Sequence, residues 1–108
     1  MEVESKMAKK EEPVAAELML EISQLIEGGV YSNVANIIHN KNEFIFDFAI
    51  VLPGKNAARV QSRIITSPVH AKQLMLALQN NISKYEQSFG EIKVDAIQPV
   101  LKTAETVH

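Results

Sequence analysis

One stretch constrains the fold more than any other. From Glu43 to Leu52 the chain reads EFIFDFAIVL, and Phe44, Phe46, Phe48, Ile50 and Leu52 alternate without a break. Period two is the side-chain spacing on one face of a strand, so these five residues predict a single apolar strand face. The flanking segments supply neighbours. Residues 30–39, VYSNVANIIH, carry Tyr31, Val34, Ile37 and Ile38 and predict a strand. Asn40-Lys41-Asn42 predicts the intervening turn, without the usual glycine. Pro53-Gly54-Lys55-Asn56 predicts a second turn. Residues 58–66, ARVQSRIIT, predict a further strand, with Val60, Ser62 and Ile64 on one face and Arg59, Gln61, Arg63 and Ile65 on the other.

A long helix follows. Ser67 can accept from the free N–H groups of a first turn, and Pro68 at the first helical position loses no intrahelical bond. Ala71, Leu74, Met75, Leu78, Ile82, Tyr85 and Phe89 recur at three- and four-residue steps as one apolar stripe, and Gly90 suits the C-terminal stop. The helix would span about 33 Å and the strand at 43–52 about the same. Matched lengths suggest that the helix lies on one sheet face, with the Phe44–Phe48 row beneath Leu74, Leu78 and Ile82. The expected class is α+β: an antiparallel sheet of three to four strands with one long helix (about 68–89) packed on one face.

The segment before this block reads two ways. Pro13 and Gly28-Gly29 could bracket a helix carrying Val14, Leu18, Ile22, Leu25 and Ile26. Residues 17–22, ELMLEI, equally fit a strand followed by one helical turn at Ser23–Glu27, with Ser23 as N-cap. Residues 1–12 are charged and poor in large apolar residues, so they read as a disordered arm before a single domain at 13–98; 99–108 reads as a flexible tail.

Composition removes several classes. With 108 residues the chain is one domain. Eleven Lys+Arg against 13 Asp+Glu leave a formal charge of -2 and no basic excess for phosphates, so nucleic-acid binding is not expected. Base stacking on the 44–48 aromatics is a minor reading, because Glu43 and Asp47 flank them. No apolar run has the roughly 18 residues of a membrane span. Cys is 0, which excludes a disulfide framework, a thiol nucleophile and a thiolate metal site. MEVESKMAKKEE has no apolar core of a signal peptide, so a cytoplasmic location is the expectation.

The second sheet face is half apolar. Ile45, Ala49, Val51 and Ile65 stand among Asp47 and Arg63, which marks these six residues as a candidate interface. A homo-oligomer, dimer or tetramer, is the favoured cover, with another protein as a further partner. The alternative is that residues 13–27 fold over this face as a helix.

Candidate chemistry is sparse. His39, His70 and His108 show no close spacing, so no metal or other cofactor is expected. Asp47 interrupts an apolar strand and needs a partner, which Arg59 or Arg63 could supply across the sheet as an ion pair. Neither glycine-bearing turn belongs to a phosphate-binding motif, and Ser67 lacks the context of a nucleophile. An enzyme is not expected.

Residues 29–92 carry motifs that resemble a known family. YSN (31–33), H-x3-EFIFDF (39–48), PG (53–54), SRI (62–64), SPVHAK (67–72) and NI-x-KYE-x2-FGEI (81–92) resemble the small prokaryotic family named domain of unknown function three-four-six-seven. The arm and the tail from Lys93 depart from that pattern. The resemblance implies no assigned reaction. It marks Tyr31, His39, Asp47, Arg63, Ser67 and His70 as motif positions whose role it leaves open. The order of elements is also similar to the export chaperone SecB, which favours a strand at 17–22 and implies a dimer or tetramer that holds unfolded clients. Relatives encoded beside the large RNA polymerase subunits imply a transcription-associated role with RNA polymerase as partner.

Overall fold

A computed structural model describes residues 15–94 and 99–102. The elements run α1 (Gln24–Glu27), β1 (Val34–His39), β2 (Phe44–Val51), β3 (Ala58–Thr66) and α2 (Pro68–Phe89). The class is α+β, as expected. The sheet is antiparallel in the order β1-β2-β3, so the alternating aromatic strand is central. Its register places Phe46 between Ile37 and Ile64, and Ile45 between Ile38 and Ile65. The β1–β2 turn replaces glycine with an Asn side chain: Asn40 Oδ1 accepts from the Asn42 and Glu43 N–H groups, both at 2.8 Å. In the β2–β3 loop Lys55 N–H donates to Leu52 O, and Gly54 at φ 72 takes the left-handed position of this Pro-Gly turn.

Period two fails at one point of β3. Phe48 faces Ser62, but Ala49 faces Val60, so Gln61 is an extra residue in a β-bulge. Residues directly opposite share a face. Val60 therefore joins the Ile45, Ala49, Val51 and Ile65 face, and Arg59 moves beside Ile50 on the phenylalanine face. The expected grouping of Val60 with Ser62 and Ile64 holds only beyond the bulge.

Other expectations shift as well. Residues 17–22 form no strand, and their side chains are exposed, Leu20 at 96%. They form no helix over the second face either. The turn at Ser23–Glu27 is present as α1, but Ser23 caps it with its carbonyl rather than its side chain. β1 starts at Val34, not residue 30. The expected arm at 1–12 and the last six tail residues lie outside the described residues.

The largest difference concerns α2. The helix forms over the predicted span, with Ser67 Oγ accepting from His70 N–H at 3.1 Å and Gly90 closing it. It does not lie on its own sheet: no helix residue is buried, and the extensive contacts between elements are strand to strand. Only Ser67 stands between β3 and α2, extended at φ -78 and ψ 159 as a residue before proline prefers. A strand-to-helix reversal ordinarily uses two to six residues. The core of the single chain is accordingly small: among the described residues, Phe46, Ala49 and Asp47 are the buried ones, at 7%, 6% and 6% exposure.

Candidate functional site

The charged focus of the sheet is an ion pair on its second face. Asp47 and Arg63 are register partners on β2 and β3, which brings their side chains together. Arg63 Nε donates to Asp47 Oδ1 at 2.6 Å and its terminal nitrogen donates to Oδ2 at 2.8 Å, a bidentate fork. Arg59, the other sequence candidate, is carried to the opposite face by the bulge. The carboxylate is buried while the guanidinium is 57% exposed. The hydrogen bonds from Arg63 hold the Asp47 carboxyl below its ordinary range, and burial opposes them. The same fork raises Arg63.

This pair sits in an apolar surround. Ile45, Ala49, Val51, Val60 and Ile65 share its face, and Val51, Val60 and Ile65 are exposed. Ile45, Asp47, Ala49, Val51, Arg63 and Ile65 lie on one sheet face by register, and the bulge adds Val60, which strict alternation puts on the other side. The bulge is the missing signal, and nothing in ARVQSRIIT announces it.

The motif positions separate. Tyr31 is exposed, and the work of YSN falls on its neighbours: Ser32 Oγ donates to Val34 O and Ala49 O, and Asn33 Oδ1 accepts from Val51 N–H. These bonds tie the start of β1 to β2 where the ladder ends. His39 stacks on Phe44 with ring centroids 5.3 Å apart. Ser67 caps α2, and His70 lies in that helix's first turn. They are hairpin, cap and turn residues and make no joint constellation. Among the described residues no group of three His, Cys, Asp or Glu could hold a metal ion. An open cleft of about 520 Å³ lies between the β2–β3 loop and Pro99–Lys102, lined by Val51, Lys55, Ala58 and Val100. It pairs no acid with a base. No helix among the described residues is long and apolar enough to cross a membrane.

The fork carries a pH prediction. A carboxyl lowered in the folded state stabilises above its unfolded pKa, about 4, and that stability is lost as pH falls through the lower folded value. Asp47→Asn is expected to be less stable at neutral pH and to lose less on acidification below about pH 4. Urea midpoints across pH measure this. Equal acid losses in both proteins would refute it.

Fold and surface together define a small α+β protein with a three-stranded antiparallel sheet, a protruding amphipathic helix and an ion pair set in an apolar face. The model of the family described as Protein of unknown function (DUF3467) matches residues 1–94, and the chain belongs to that family. The match includes the N-terminal arm, which the motifs at residues 29–92 do not reach. No curated protein and no solved structure matches the chain.

Proposed function

We propose that the protein is a non-catalytic, homo-oligomeric module that acts by binding another protein. One observation carries this reading: the chain leaves an apolar helix stripe and apolar residues on both sheet faces uncovered. Contiguous apolar surface on this scale marks association sites. The fork on the second face adds orientation, since a bidentate pair fixes geometry as well as charge. On this reading the Ile45, Asp47, Ala49, Val51, Arg63 and Ile65 surface is the face presented to the partner.

Light-scattering-coupled size exclusion is expected to give twice 12.0 kDa or a higher multiple. The denaturation midpoint should rise with protein concentration, because association stabilises only the folded chain. A monomer mass with a concentration-independent midpoint would overturn self-association. A pull-down that recovers only its own chain at every salt and growth condition would overturn partner binding.

A second reading, a SecB-like holdase in the cytoplasm, draws on the exposed apolar run Leu18, Met19, Leu20 and Ile22. Failure to protect a model client from aggregation at molar excess would exclude it.

A further inference from the structure

We propose that two copies of the chain exchange helices, so that α2 of each covers the phenylalanine face of the other's sheet. This rests on the self-association reading above and specifies its contact. Three observations lead to it. The first is the junction: Ser67, extended and followed by Pro68, holds α2 off its own sheet. No residue of α2 is buried, and the extensive contacts between elements are strand to strand.

The second is area. Ile37 and Ile64 on the sheet and Leu78, Ile82 and Phe89 on α2 are between 40% and 75% exposed, large apolar side chains left open on both surfaces. A permanent dimer buries roughly 1,000–2,500 Å² per partner, a face of this kind on each side. A second copy has the matching surface to cover it.

The third is fit. The α2 stripe of Leu74, Leu78 and Ile82 carries no charge, and its length matches a strand of the sheet. The phenylalanine face presents Ile37, Phe46 and Ile64 in one row across its middle. The opposite face presents the Asp47–Arg63 fork at its centre, and an apolar helix laid over it would strip water from an ion pair. The phenylalanine face is therefore the seat of the helix, and the fork face is left outward. In a two-fold arrangement each contact is made twice, one helix in each direction.

Cross-linking tests the exchange, aided by a chain that has no cysteine of its own. Chains carrying Ile64→Cys, one with a mass tag, are refolded with chains carrying Leu78→Cys and treated with a short bis-maleimide. The expected product is a covalent mixed dimer whose mass is the sum of the tagged and untagged chains, absent when Gln79→Cys replaces Leu78→Cys. The Ile64→Cys/Leu78→Cys double variant should likewise link between chains. An intrachain link in the double variant would mean that the helix folds onto its own sheet, and the proposal falls. A dimer by light scattering that links through Ile65→Cys and not through the mixed pair would also overturn the exchange, while self-association stands. A monomer mass would overturn both.

Discussion

Leu78→Asp is expected to reduce the protein to a monomer at concentrations where the natural chain is a dimer. Leu78 lies mid-stripe on α2 and is 56% exposed in the single chain, so nothing within that chain needs it apolar. Removing a leucine from a buried contact forfeits about 2 kcal/mol. An aspartate there must also shed water or hold the surfaces apart. Two-fold symmetry counts the loss twice, so the penalty is about 4 kcal/mol or more and Kd weakens roughly a thousandfold. Gln79→Asp, one residue on and on the polar side, should leave the mass unchanged. The helical signal should fall together with the mass in Leu78→Asp, because most of a helix's stability in a protein comes from packing its apolar face. An unchanged dimer would show that α2 is not part of the self-association surface.

What the residues disclosed and what they hid follow from range. β2 was legible because its five-fold alternation has one geometric reading, and α2 because Ser67-Pro68, the stripe and Gly90 agree with one another. The Asp47–Arg63 pair was half legible. A carboxylate inside FIFDFAI demands a partner, but register alone decides between Arg59 and Arg63, and the bulge at Gln61 sets the register. The proposed strand at 17–22 has the composition of a strand and no ladder partner within the described chain. Pattern reports what a segment can bury, and it does not report against what. The helix posed the same problem. Its stripe and the phenylalanine row are apolar surfaces of similar length, and the single-residue junction at Ser67 keeps them apart within one chain. YSN shows the reverse case, a motif whose role is mechanical: Ser32 and Asn33 extend the β1–β2 ladder through side chains, which no periodicity displays.

Phe46→Ala should cost more than any other single truncation in the sheet. Phe46 is buried in the lone chain, flanked across the strands by Ile37 and Ile64 and along β2 by the rings of Phe44 and Phe48 at 6.5 and 6.3 Å. Phenylalanine-to-alanine in a core costs about 3–5 kcal/mol, partly for the cavity left behind. A small domain has roughly 5–15 kcal/mol in total, so this loss takes a large share of it. Ile64→Ala provides the contrast. Ile64 is 47% exposed in the single chain, and on that surface alone its loss should be small. Under a partner's helix it becomes a core residue, and truncation should cost about 2–5 kcal/mol. Urea midpoints at two protein concentrations separate the cases. Phe46→Ala lowers the midpoint at both, because its packing lies within one sheet. Ile64→Ala lowers it most at the higher concentration, where the natural protein is fully associated. An Ile64→Ala midpoint equal to that of the natural protein throughout would leave the phenylalanine face without its cover and return the helix stripe to another surface.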